Sequence, residues 1–204
     1  MVNNKLNKAK RFYEQKGLVR QVVLNRLRQS KNVLTGSRAV NRHLPEYLQK
    51  KMTKDYDVLV RKGMTPMQAA TKLERDLDRR FGGDYFKVTQ GNYPHVKKVV
   101  DINKNEVADF VPMPEPKPKI KTSPDGIRYA GLKYLKSRFN AAIKDPTQKF
   151  RHKKDTESLK RIAVYEKFHK PSHSIMGSTD FKWKPLPKAK PIIKKRKGGD
   201  YFKW

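Results

Sequence analysis

The acids Glu74, Asp76 and Asp78 and the histidines His43, His95, His152, His169 and His173 are the residues best suited to acid–base or metal chemistry. Carboxylates can share acid and base roles when they converge on one proton path. At two-residue spacing on a single helix, however, Glu74, Asp76 and Asp78 point in different directions. They interleave with Arg75, Arg79 and Arg80, a pattern that predicts a salt-bridged surface. The histidines are scattered among basic and turn residues. "HKPSH" at His169–His173 resembles a metal-ligand fragment, but Pro171 interrupts helical spacing and no carboxylate stands beside it.

The chain has no cysteine, which removes disulfides, thiolate metal sites and cysteine nucleophiles together. It also lacks a glycine-rich phosphate loop with its lysine and a Gly-x-Ser-x-Gly elbow. The expectation is therefore no catalytic residue, no metal and no cofactor. A basic peripheral enzyme such as a nuclease is disfavoured because acids and histidines do not cluster in the sequence.

Cations dominate instead. The 204 residues carry 49 Lys and Arg against 19 Asp and Glu, a formal net charge of +30. Such an excess predicts a polyanionic partner, phosphate backbones first and anionic membrane surfaces second. No apolar run approaches the roughly 18 to 20 residues needed to span a bilayer, so integral membrane association is not expected. The charge is uneven. Residues 1–45 hold eleven basic residues and one acid, residues 46–111 thirteen and ten, and residues 112–204 twenty-five and eight. A nearly neutral middle thus carries two basic arms.

Within the arms, Arg20, Arg26 and Arg28 fall on the outward side of a helix beginning in "LNKAKRFYEQKGLVRQ", an arrangement suited to phosphate contact. "RHKK", with Arg151, Lys153 and Lys154, and "KKRK", with Lys194, Lys195, Arg196 and Lys197, are further candidate nucleic-acid contacts. One aromatic word recurs: "GGDYFK" at Gly82–Lys87, "GGDYFKW" at Gly198–Trp204, and a looser "TDFKW" at Thr179–Trp183. The first copy is expected to be a turn and strand start. The later copies predict partner-anchoring residues Phe181, Trp183, Tyr201, Phe202 and Trp204, since a tail gains nothing by exposing them.

These residues need elements to hold them. Thr65 caps, Pro66 fits the first helical position, Gln68 completes a capping box, and Gly82 or Gly83 stops a helix whose Met67, Ala70, Leu73 and Leu77 repeat at helical spacing. "LPEYLQKKMTKDYDVLVRKG" predicts a preceding helix from Pro45 to about Gly63, giving a helical hairpin. "YFKVT", "HVKKVVDI" and "EVADFV" predict a short β-meander. Ser123 and Pro124 read as the start of a later helix, and "DTESLKRIAVYEKF" as another.

The fold class is α+β, a small mixed core with additional helices and long basic arms. Its parts are a helical arm (1–45), the core (46–111), a proline-rich tether (112–126), a basic helical segment (127–169) and a Lys/Pro/aromatic tail (170–204). Only 36% of the residues are hydrophobic, which suits one modest core.

The expected function is that of a non-catalytic nucleic-acid-binding structural component of a large assembly. A ribosomal or organellar ribosomal protein contacting rRNA leads, and a virion protein on packaged DNA is the alternative. RNA is favoured over DNA, with neighbouring proteins as further partners. Compartment is unreadable: a mitochondrial matrix, reached through the basic N-terminus, and a virion interior both stay open.

Overall fold

Thr65 opens the best-marked helix. Its side chain accepts from the Gln68 backbone N–H while Gln68 reaches back to the Thr65 N–H, and Gly82 ends the helix at φ 70°. Both ends are as the sequence predicts. The structure is a computed structural model and describes residues 16–50 and 55–169.

In chain order the elements are α1 (Lys16–Ser30), β1 (Val33–Thr35), α2 (Gly36–His43), β2 (Tyr56–Val60), α3 (Pro66–Phe81), β3 (Phe86–Gln90), β4 (Lys97–Asp101), β5 (Glu106–Pro112), β6 (Ile120–Thr122), β7 (Arg128–Ala130), α4 (Leu132–Lys144) and α5 (Lys149–His169). The fold is α+β. Seven strands form one mixed sheet in the order β3-β4-β5-β2-β1-β7-β6. β2 runs parallel to β5 and β1 parallel to β7, while the other neighbours are antiparallel.

The meander β3-β4-β5 stands where the sequence places it. Its first strand follows the GGDYFK turn, with Phe86 buried and Tyr85 packed against the core. Asp78 fastens that turn by accepting from the Tyr85 and Phe86 backbone N–H groups.

The segment before α3 corrects the helical hairpin. Only Glu46–Leu48 forms a 3-10 turn, and Tyr56–Val60 is strand. "YDVLV" lies in mid-sheet between β1 and β5, where every residue but Asp57 is buried and the run after Asp57 is continuously apolar. A short run of that kind fits a helix or a buried strand equally well by periodicity.

The helix expected from Ser123 also starts later. "SPDG" is the turn of the β6–β7 hairpin, with Gly126 at φ 79° and its N–H on the Ser123 carbonyl. α4 begins only after Gly131. The sheet draws β1 from ahead of residue 46 and β6 and β7 from beyond residue 111.

Alternation along the strands separates two faces. Asp57, Asp109 and Lys98 point to one side, while Val58, Ala108 and Val99 are completely buried on the other. α3 is the helix lying against β3, β4 and β5, so its Ala70, Leu73 and Leu77 cover the apolar side. α1 packs beside α3 through Val23 and Leu27. At the other end of the sheet α4 and α5 pack on each other, burying Leu135, Phe139 and Ile162. Among the described residues no helix is long and apolar enough to cross a membrane.

Candidate active site

Four polar residues form one rung across the middle of the sheet. Thr35 on β1 pairs with Asp57 on β2, Asp57 with Asp109 on β5, and Asp109 with Lys98 on β4. Directly opposed residues on neighbouring strands share a face, so the two carboxylates and their flanking groups stand together. Asp55, two residues before Asp57, falls on the same face by alternation.

Glu106 joins them through a β-bulge. The register between β4 and β5 shifts at Val99/Val100, and this extra residue turns Glu106 to the side of Asp109 despite their odd spacing. Carboxylate oxygens of Asp55, Glu106 and Asp109 all lie within 4.8 Å of one another.

Like charges this close raise each other's proton affinity. The Asp109 carboxyl is pushed up to about 7, first by burial and then by repulsion from Asp57, Glu106 and Asp55, with Lys98 opposing. Its Oδ1 is buried and has no hydrogen-bond partner. Lys98 is 14% exposed and pairs with Glu106, while its Nζ lies 3.7 Å from Asp109 Oδ2. Burial disfavours its charge, but the hydrogen bond to Glu106 and the nearby carboxylates outweigh that, and its pKa rises.

α2 begins at the edge of this cluster. β1 ends at Thr35, and Gly36 at φ 64° turns the chain into the helix. A Cβ on Gly36 would fall 1.9 Å from Asp57 Oδ2, so only glycine lets this carboxylate lie against the helix start. The N-cap residue Thr35 makes no side-chain capping hydrogen bond. The start of α2 lies beside the carboxylates, and helix N-termini favour an anion such as a phosphate. Ser37 is buried in that first turn.

Two arginines brace the cluster. Arg138 of α4 donates to Thr35 Oγ1 at 3.2 Å and sits 3.7 Å from Asp57 Oδ1. Arg38 of α2 donates to the Asp55 carbonyl at 2.7 Å and stacks over the Tyr56 ring, 3.7 Å from its centroid. Burial lowers the Arg38 pKa, opposed by Tyr56 and Asp55.

The donors are all carboxylate oxygens, the set preferred by hard divalent cations such as Mg²⁺. The orphaned Asp109 Oδ1 and the mutual repulsion of the carboxylates fit such an ion. Asp55, Glu106 and Asp109 are the residues placed to hold it, with Asp57 beside Asp109 on the neighbouring strand.

The basic residues singled out from sequence lie elsewhere. Arg20 is exposed on α1, within electrostatic reach of Arg38 and Tyr56. Arg26 is turned toward α3, its Nε 2.6 Å from Asp76. Arg28 donates to the Asp125 carbonyl at 2.7 Å and to Asn25. Arg151 pairs at 2.9 Å with the fully buried Asp155, while Lys153 and Lys154 are exposed on α5. Lys194, Lys195, Arg196, Lys197, Phe181, Trp183, Tyr201, Phe202 and Trp204 lie outside the described residues.

Sequence reasoning missed Asp55, Asp57, Glu106 and Asp109. The signal was "DYD" leading into an apolar run, about twenty residues after the "TGS" that ends another.

No protein-family model matches the chain, and no curated protein matches it in sequence. In three dimensions it is similar to the crystal structure of the Megavirus polyadenylate synthase, with a TM-score of 0.58 at 17% identity. The match covers 89% of this chain and 38% of the synthase, so the chain corresponds to well under half of that protein's length.

This likeness in fold overturns the expectation of a non-catalytic ribosomal or virion component, and with it the exclusion of enzymes. The exclusion rested on the absence of clustered acids along the sequence. Adjacent parallel strands bring together acids more than fifty residues apart, which linear spacing does not display.

Proposed function

We propose that the chain is a metal-dependent nucleotidyltransferase that adds a nucleoside monophosphate from a nucleoside triphosphate to the 3′ hydroxyl of an RNA. The observation carrying this reading is the convergence of Asp55, Glu106 and Asp109, with Asp57 paired to Asp109 and lying against the start of α2 at Gly36. The likeness in fold to a polyadenylate synthase supports the choice of reaction, and the net charge of +30 supports a nucleic-acid acceptor.

In the reaction the acceptor oxygen forms a bond to the α-phosphorus, the bond to the leaving pyrophosphate breaks, and the hydroxyl proton is released. A bound divalent cation would favour the deprotonated hydroxyl and offset charge on the phosphates. The residues of this chain supply position. The α2 N–H groups, with buried Ser37 in the first turn, receive phosphate oxygens of the triphosphate. Asp57 stays against Gly36 and in reach of Arg138, which fixes its orientation. Asp109, paired with Asp57 across β2 and β5, would hold the cation together with Asp55 and Glu106.

The test is incorporation of labelled nucleotide into a 5′-labelled RNA oligonucleotide by the full chain with Mg²⁺ or Mn²⁺. Product ladders should form with the unaltered protein and disappear with Asp57→Asn and with Asp109→Asn. Absence of extension with every nucleoside triphosphate and either ion, or equal extension by the variants, would refute the reading.

A further inference from the structure

On the side of the sheet away from the carboxylates, two adjoining hollows of about 340 and 480 Å³ lie between α1 and α3 and share Arg26 and Gln29. Together they are lined by six cations, Arg26, Lys31, Arg61, Lys72, Arg79 and Arg80, against one acid, Asp76. Asp76 is already paired with Arg26 and lies 3.5 Å from Arg79. None of the ion pairs among the described residues involves Lys31, Arg61, Lys72 or Arg80. Four like charges facing one trough repel each other, and a polyanion laid along it relieves that repulsion.

The position is distinct from the candidate active site. Lys31 precedes β1 and Arg61 follows β2, and these antiparallel strands carry Gly36 and Asp57 at their other ends. α3 covers the apolar face of β3–β5, so the trough beside it opens on the reverse of the molecule.

We propose that this trough is a second nucleic-acid site, which grips the phosphate backbone of a strand away from the carboxylates. A strand fits better than a membrane surface. A membrane-binding face sets cations around projecting apolar side chains, whereas here Val22 and Met64 are partly buried and the remaining lining is amide, hydroxyl and charge. Lys72 and Arg80 are about 12 Å apart along α3 at 1.5 Å per residue. That separation lets the two cations meet different phosphates of one strand. The inference rests on the proposed function only for RNA as the natural strand, because phosphate contacts alone do not read sequence or sugar.

The test is fluorescence anisotropy of a labelled 20-nucleotide RNA, and of DNA of the same sequence, with the full chain over a range of NaCl concentrations. The variant is Arg61→Ala/Lys72→Ala. The charge-matched control is Lys160→Ala/Lys167→Ala on exposed α5. All four residues are exposed, so unchanged melting certifies each variant as folded.

The trough variant is expected to weaken binding five- to tenfold near 100 mM salt and to flatten the plot of log affinity against log salt by about 1.4, or roughly 0.7 for each phosphate that is no longer neutralised. The control should weaken binding less than half as much. Weakening on both strands assigns the grip to phosphate, and weakening on RNA alone adds the ribose hydroxyl; either supports the site. Equal weakening in the two variants overturns it, as does a changed oligomeric state with unchanged RNA affinity. Asp57→Asn should bind RNA normally while failing to extend it, so failure of the trough and failure of the catalytic reading give different results.

Discussion

Gly36 and Asp57 touch so closely that the hydrogen on the glycine Cα occupies the only space a side chain could use. A Cβ there would meet the Asp57 Oδ2 at 1.9 Å, and the backbone is in the left-handed region at φ 64°. Gly36→Ala therefore combines a conformational cost of about 1–2 kcal/mol with displacement of a carboxylate. Extension of RNA should fall at least a hundredfold, and the melting temperature should drop by several degrees. Wild-type activity in the alanine variant would mean that Asp57 does not need its observed position.

Lys98 bridges Glu106 and Asp109 from the neighbouring strand and so competes with any cation for the same oxygens. Lys98→Met should tighten Mn²⁺ binding, followed by calorimetric titration or by the loss of free-ion paramagnetic signal. The same variant should melt lower without metal, because the crowded carboxylates lose their counter-charge. Weaker Mn²⁺ binding would show that Lys98 organises the carboxylates rather than competing with a cation.

The fork of Arg42 on Asp125, at 2.6 and 2.9 Å, ties α2 to the β6–β7 turn. Hydrogen bonds from Arg42, opposed by desolvation and aided by Ser123, hold the Asp125 carboxyl well below the usual carboxylate range. A carboxylate depressed in the folded state contributes stability above its unfolded value, near 4, and that contribution is lost as pH falls through the folded value. Asp125→Asn should therefore lower the melting temperature at pH 7 and have progressively less effect below about pH 4. The pair is partly exposed, so the shift should be small and reduced by salt. A difference from wild type that grows on acidification contradicts this assignment.

Thr65→Ala removes the side-chain half of the α3 capping box. The expected loss is about 1 kcal/mol in urea unfolding, with an unchanged dependence on denaturant. Because α3 covers the apolar face and not the carboxylates, RNA extension at low temperature should be unaffected.

Local chemistry made α3 and the meander readable from the chain. The box at Thr65 and Gln68, the αL stop at Gly82 and the turn residues between β3, β4 and β5 each act within a few neighbours. The charge excess was equally plain in composition, since it needs no fold to exist. Tyr56–Val60 was not readable, because Val58, Leu59 and Val60 are all buried and the run loses the alternation that marks strands. The candidate site was hidden for a related reason. Asp57 and Asp109 become neighbours only when β2 and β5 pair in parallel, Glu106 reaches them only through a bulge, and Gly36 is needed only because Asp57 arrives beside it. Cross-strand pairing is a contact between distant parts of the chain, so tertiary structure alone decided which of the nineteen acids would stand together.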